Sequence, residues 1–291
     1  MRAGLIGSGI QASLTPAMHM AEARSQGFSY RYDLFDLDLL DGGAERLAAS
    51  IAQAEADGFA GLNITHPCKQ AVIPLLDTLS EDAATLGAVN TVVLSDGKRH
   101  GHNTDWWGFA EAFRQRLPDA ELRHVVQLGA GGAGAATVYA ILMLGAGEVT
   151  IFDPDSVRVA ALVAAMEKRF PLARISAGSD LVAAMADASG LIHSTPTGMA
   201  NYPGLPLEAG LLSARQWVAE VVYFPLETAL LAEARRRGCR VVDGGGMAVF
   251  QAVGAFRLFT GREADAGRMM RHFMELTGTG EAEKMRPGAV G

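Results

Sequence analysis

Cysteine is almost missing from this chain. Cys68 and Cys239 stand far apart in 291 residues, and they make neither a disulfide framework nor a metal-ligand spacing. Free, buried thiols in a reducing compartment are the expectation. Runs of basic charge are missing too. Lys and Arg number 25 against 32 Asp and Glu, for a net charge of −7. No basic stripe offers a footprint for a phosphate backbone, so nucleic acid is not expected as a partner. No apolar run approaches the roughly 18 residues of a membrane span, so no membrane partner is expected either. The opening MRAGLIGSG has one basic residue and then meets glycines. It lacks the apolar core of a signal peptide, and a cytoplasmic location is expected. The 7 histidines show no metal-ligand spacing, and no metal is expected.

What is present is apolar and regularly punctuated. Hydrophobic residues make up 49% of the chain and charged residues 20%, enough for two cores. The length suits two domains of about 100–200 residues each. Strand signals at residues 3–6, 30–37, 59–64 and 89–94 alternate with helix signals at 16–26, 44–56 and 80–86. Farther on, strands are predicted at 125–128, 149–152, 191–193, 218–222 and 240–242, with helices up to about 144, near 157–168 and at 226–237. Such alternation implies an α/β fold with a parallel sheet covered on both faces. The expected organisation is two lobes. Residues 1–104 plus 246–278 form an N-terminal α/β substrate-binding catalytic domain. Residues 105–245 form a Rossmann-type, doubly wound NAD-binding domain. A helix over 106–117, carrying Trp106 and Trp107, is expected to bridge them, and residues 279–291 read as a disordered tail.

The sharpest local signal follows the strand at 125–128. Gly129, Gly131 and Gly134 have the GxGxxG spacing, follow a strand and open a helix. The first glycine makes a tight turn, the second lets backbone N–H groups approach a pyrophosphate, and the third allows close helix–strand packing. A helix N-terminus then faces two negative charges favourably. The alternative is a glycine-rich turn without a ligand. Asp153 argues against it, because it ends the next strand, where a carboxylate can accept from both hydroxyls of an adenosine ribose. That carboxylate would repel a 2′-phosphate, and Pro154 and Asp155 beside it bring no positive charge. Arg158 lies one turn into the next helix, toward the adenine side or solvent. NAD is therefore expected over NADP.

Polar clusters mark the first lobe. Ser13 and Thr15 precede a helix, where they either cap it or, pointing the same way, bind a carboxylate. Asn63, Thr65 and Lys69 follow a strand, and Asn90 and Asp105 lie at strand edges. The pair Lys69–Asp105 reads either as a proton-transfer dyad or as a salt bridge between lobes.

Taken together, these residues resemble the shikimate dehydrogenase family. SLTPAMH, GLNITHPCK, GAVNTVV, GHNTDWWGF, GAGGAG, STPTGM, VVYFPLET and GMAVFQAVGAF occur in the family's order and approximate spacing. The resemblance implies a nicotinamide-dependent oxidation of a ring hydroxyl in a small cyclic hydroxy acid, by a monomer or homodimer. It implies Lys69 and Asp105 as the catalytic pair. It implies Ser13 and Thr15 on the substrate carboxylate, with Asn63, Thr65, Asn90, Tyr223 and Gln251 on the ring hydroxyls or carboxylate. Around the cofactor it implies Gly129, Ala130, Gly131, Gly132, Ala133, Asp153, Thr195, Val221, Gly244 and Met247, to which Arg158 is added here.

Five residues at three sites depart from the biosynthetic pattern. Serine is usual where Thr15 stands, an Asn-Arg-Thr run where Asp153-Pro154-Asp155 stands, and leucine at Ala248. These changes resemble the branches that use quinate, aminoshikimate or a related acid, often with NAD. A quinate- or aminoshikimate-preferring enzyme is thus the first alternative. The second is a non-catalytic NAD-binding regulator, which the intact Lys69, Asp105 and Asn90 argue against.

Overall fold

The computed structural model describes residues 1–40 and 42–278. The expected tail at 279–291 lies outside them. The chain divides into two compact units, Met1–Thr104 together with the chain from Gln251 on, and Asp105–Phe250.

The first unit is built on β1 (Arg2–Gly7), α1 (Thr15–Ser25), β2 (Arg31–Asp36), α2 (Leu47–Ala56), β3 (Gly61–Ile64), α3 (Cys68–Ala71), β4 (Thr78–Leu79), α4 (Glu81–Leu86), β5 (Thr91–Ser95) and β6 (Lys98–His102). Its sheet runs β2-β1-β3-β5-β6-β4. β2, β1 and β3 are parallel, whereas β5 is antiparallel to both β3 and β6. Asp96 (φ 53°) and Gly97 (φ 69°) make the two-residue turn between β5 and β6. Positive φ at both positions suits the twist of a hairpin. Ile6, Leu62, Ile64 and Val92 pack on α2 residues Leu47 and Ile51 on one face. Ala3, Leu5 and Tyr32 meet Ala255 and Phe259 on the other. Glu22 on α1 is buried, and it accepts from Arg268 Nε at 2.8 Å and from the Asp265 N–H at 3.0 Å. That anchors α11 (Ala266–Leu276) to α1.

The second unit holds α5 (Asp105–Arg116), β7 (His124–Leu128), α6 (Gly132–Met143), β8 (Glu148–Phe152), α7 (Ser156–Arg169), β9 (Arg174–Ala177), α8 (Leu181–Asp187), β10 (Gly190–His193), β11 (Trp217–Glu220), α9 (Ala229–Arg236) and β12 (Arg240–Val242). All its strand pairs are parallel, in the order β12-β11-β10-β7-β8-β9. Counted within the unit this is the 3-2-1-4-5-6 order of a Rossmann sheet, and the order reverses between β7 and β10. β7 and β10 are buried along their whole length, as strands covered on both faces are. Trp106 packs on Tyr139 and Trp107 on Phe250, with centroids 5.2 and 6.3 Å apart.

The last long helix, α10 (Gly244–Thr260), begins on the glycine triplet Gly244-Gly245-Gly246. Close packing explains this. A Cβ on Gly244 would lie 2.4 Å from the Val221 carbonyl, and one on Gly246 would lie 2.7 Å from Ala112 Cβ. The glycines are what let α10 start against α5 and the end of β11.

Candidate functional site

In the first unit the candidate residues gather at the C-terminal ends of β1 and β3. Ser13 and Thr15 sit at the start of α1, whose N-cap position, Leu14, makes no side-chain capping bond. Ser13 Oγ accepts only a long bond, 3.4 Å, from the Thr15 N–H. Capping thus uses little of either hydroxyl. The loop before them is held by Asp36, which ends β2. Its carboxylate accepts from Gln11 Nε2 (3.0 Å), Gly9 N (3.1 Å) and Ile10 N (3.2 Å). The Gln11 amide and these backbone donors keep the Asp36 carboxyl below the usual carboxylate range. Thr65 lies against the end of β1, where a Cβ on Gly7 would be 2.3 Å from its methyl group.

Lys69 stands on α3 rather than in a loop. Its backbone carbonyl accepts from Val89 N at 2.9 Å, so α3 is tied to the residue before Asn90. Asn90 is buried, and its Oδ1 accepts from Thr104 N at 2.7 Å and from Thr91 Oγ1 at 3.0 Å. Its Nδ2 donates to Thr104 Oγ1 at 3.0 Å and to Gln251 Oε1 at 3.2 Å. Asn63 is buried behind it. Its amide donates to the Asn90 carbonyl (3.2 Å) and Thr91 Oγ1 (3.1 Å), and its oxygen accepts from Tyr32 Oη at 2.7 Å. The protein itself thus takes up both ends of the Asn63 amide. Tyr32, Thr91 and Thr104 had no role in the sequence reading. Thr91 and Thr104 lie inside the quoted motifs, but Tyr32 looked like one more apolar strand position.

In the second unit the glycine turn leaves β7 at the point where the strand order reverses. Gly129 takes φ +100°, and a Cβ on Gly134 would lie 2.3 Å from the Gly129 carbonyl oxygen. Gly131 is the N-cap of α6 and makes no side-chain capping bond, and Cβ atoms on Gly131 or Gly132 would meet nothing within 4 Å. The turn is therefore tight where it packs on the sheet and open where helix N–H groups point outward. That is the donor set a pyrophosphate takes, so the residues present fit a dinucleotide.

Asp153 is held by backbone donors. Its Oδ2 accepts from Ala130 N at 2.8 Å and its Oδ1 from Asp155 N at 2.9 Å. Arg158, expected over adenine or in solvent, turns back toward these carboxylates, 3.8 Å from Asp153 and 3.3 Å from Asp155. Thr195 Oγ1 is 2.5 Å from His193 Nε2, and His193 Nδ1 is 2.9 Å from Glu220, both buried. This chain escaped the sequence reading because His193 and Glu220 lie in strands far apart in sequence. Val221 follows β11, with its N–H on the His193 carbonyl. Tyr223 is exposed, Gly244 and Met247 are buried in α10, and Asp105 is buried as the first residue of α5.

Residues 5–92 match the shikimate dehydrogenase substrate binding domain, and residues 244–272 match the shikimate 5'-dehydrogenase C-terminal domain. The chain is 58% identical to a shikimate dehydrogenase (NADP(+)) of Streptomyces avermitilis over 95% of its own length and 96% of that protein. The chain belongs to the shikimate dehydrogenase family. It is also 46% identical to a quinate/shikimate dehydrogenase (NAD(+)) of Corynebacterium efficiens, over 94% of this chain and 97% of that one. Quinate dehydrogenase from Corynebacterium glutamicum, solved in complex with NAD, superposes with a TM-score of 0.91 at 43% identity. That match covers 94% of this chain and 99% of that one. As a shikimate dehydrogenase family member the chain is an oxidoreductase that uses a nicotinamide cofactor on a CH–OH group. No described helix is long and apolar enough to cross a membrane.

Proposed function

We propose that this shikimate dehydrogenase homologue interconverts shikimate and 3-dehydroshikimate in the cytoplasm, with NAD preferred over NADP. The observation that carries the reading is the oriented amide pair Asn90–Gln251 tied to the base of Lys69, in a chain with an open glycine cradle at its switch point. Lys69 and Asp105 act as the proton-transfer pair. Asp105 is buried as the first residue of α5. Ser13 and Thr15, with hydroxyls little used by capping, hold the substrate carboxylate. Thr65, Asn90, Tyr223 and Gln251 hold the ring, and Asn63 supports Asn90. Gly129, Ala130, Gly131, Gly132, Ala133, Thr195, Val221, Gly244 and Met247 hold the cofactor, with Asp153 and Arg158 at its adenosine end. When bound, the nicotinamide takes the hydride of the carbinol carbon. The protein holds that carbon in place and receives the hydroxyl proton at Lys69 or Asp105.

Quinate is the second reading. Thr15 and Asp153 favour it, as does the likeness to the quinate/shikimate dehydrogenase (NAD(+)) of C. efficiens. Initial rates with shikimate and quinate, each with NAD and NADP, test both readings. Lys69→Ala should lower kcat by about 10²–10⁴ with little change in KM, as the loss of a positioned acid–base group does. Absence of turnover of either acid with either cofactor would overturn the proposal.

A further inference from the structure

The buried amides of the first unit permit only one orientation each. The Thr104 backbone N–H can only donate, so the Asn90 atom 2.7 Å from it is the oxygen. The Asn90 backbone carbonyl can only accept, so the Asn63 atom 3.2 Å away is the nitrogen. Asn63 Oδ1 then faces Tyr32, whose hydroxyl must donate. Thr91 Oγ1 accepts from Asn63 Nδ2 and gives its own proton to Asn90 Oδ1. Asn90 Nδ2 is left to donate, and the Gln251 atom 3.2 Å from it is the oxygen. Gln251 therefore turns its NH2 group the other way. That group has no hydrogen-bond partner among the described residues, and the side chain is only half-buried.

From this we infer that the Thr104 backbone N–H fixes the polarity of the Asn90–Gln251 pair, with Tyr32, Asn63 and Thr91 as positioning residues that hold Asn90 against it. Gln251 then offers only N–H donors, and the site selects a ring oxygen over a ring ammonium group. The inference rests on the placement of Gln251 at the substrate. A hydroxyl or carboxylate oxygen accepts from the amide NH2. An ammonium group can only donate, and it meets the positive end of the amide dipole with no partner. Reversing Gln251 would require Asn90 to turn its NH2 group onto the Thr104 N–H, a backbone group that cannot change role, and Thr91 to give up its proton's acceptor. The acids this chain takes therefore carry oxygen at that ring position, which separates shikimate and quinate from amino-substituted acids.

The test uses purified full-length protein, shikimate, and two analogues. In each analogue one of the ring hydroxyls that is not oxidised is replaced by an ammonium group. Wild type should favour shikimate over at least one analogue by on the order of 10²-fold in kcat/KM, the scale of an unpaired buried polar group. Gln251→Glu places an acceptor there and should narrow that ratio by about tenfold or more. Tyr32→Phe leaves Asn63 Oδ1 without its donor and so loosens the amide behind Asn90. It should raise KM for shikimate several-fold and narrow the same ratio, with cofactor KM unchanged. A purely structural role would alter melting without moving the ratio. Should Tyr32→Phe fail to fold, Gln251→Glu at a half-exposed position carries the test. Equal use of shikimate and both analogues by wild type, or an unchanged ratio in Gln251→Glu, overturns the inference alone. No turnover of shikimate or quinate by wild type overturns the dehydrogenase reading, and the inference falls with it.

Discussion

His19 shows how far one side chain's surroundings can depart from what its letter suggests. It lies on α1 with its ring fully buried, 5.0 Å from the Tyr32 ring centre and 5.7 Å from that of Phe256. Nδ1 meets Tyr30 Oη at 3.2 Å, and Nε2 is buried with no hydrogen-bond partner among the described residues. Burial lowers its pKa from 6.5 to about 3. The unfolded chain takes up a proton near pH 6.5 and the folded chain does not. The stability due to neutral His19 is therefore complete above that pH, and it is lost as pH falls toward 3. The loss is at most about 1.4 kcal/mol per pH unit. His19→Leu should remove this dependence. Acid loss from carboxylates such as Glu22 is common to both proteins and cancels in their difference. Urea unfolding of both from pH 7 to pH 4 should show the wild-type advantage shrinking steadily, and a constant difference would refute the account. Residue identities showed the chemistry on offer but not its partners. Asn63 looked like a substrate contact until its amide was seen to be spent on Tyr32, Asn90 and Thr91. Asp153 was legible as a carboxylate at a strand end, but not the Ala130 N–H that donates to it. Both depend on atoms from other strands, which periodicity does not report.

At the scale of elements, the buried parallel strands were legible because each is a short apolar run ended by a turn residue. β6 was not, because its Lys98-Arg99-His100-Gly101-His102 has no apolar alternation. It is a strand because β5 and the Asp96-Gly97 turn supply its ladder. β9 and α8 escaped for a similar reason. β9 lies at the sheet edge, and α8 is 7 residues long. The glycine turn was legible in position, and its packing now separates two roles. A Cβ on Gly134 meets backbone, the Gly129 carbonyl at 2.3 Å, which cannot swing aside. Gly134→Ala should push α6 off β7 and cost about 1–3 kcal/mol of stability. A Cβ on Gly131 meets nothing, and at φ −70° its backbone suits alanine. Gly131→Ala should leave the melting temperature within about 1 °C of wild type and yet raise KM for the cofactor by about tenfold, by obstructing the approach of the pyrophosphate. If cofactor KM does not move, the turn is only a turn.

For the molecule as a whole, the question left by the relatives is which dinucleotide it takes, since those of high identity bear both NAD and NADP in their names. The adenosine end favours NAD. Asp153 and Asp155 are both carboxylates, and Arg158 already stands within 3.8 Å of the first and 3.3 Å of the second, so much of its charge is used. A 2′-phosphate about 5 Å from Asp153 would be repelled by roughly 3 kcal/mol per unit charge at an effective dielectric of about 20, less where solvent reaches it. A preference on the order of 10²-fold follows, since about 1.4 kcal/mol is tenfold. Because a ligand that binds only the native state stabilises the whole fold, melting reads this without catalysis. NAD at about 100 times its Kd adds about 2.7 kcal/mol. NADP at the same concentration, binding about 100-fold more weakly, adds about 0.4 kcal/mol. For a chain of this length those are shifts of about 4 °C against less than 1 °C. Asn at position 153 still accepts from Ala130 N, but it no longer repels phosphate or holds Arg158. Asp153→Asn with Pro154→Arg should therefore reverse the order of the two shifts while leaving the unliganded melting temperature near that of wild type. Equal shifts in wild type, or an unchanged order in the double variant, would mean that Arg158 reaches the phosphate despite its carboxylate partners, and the preference for NAD would fall.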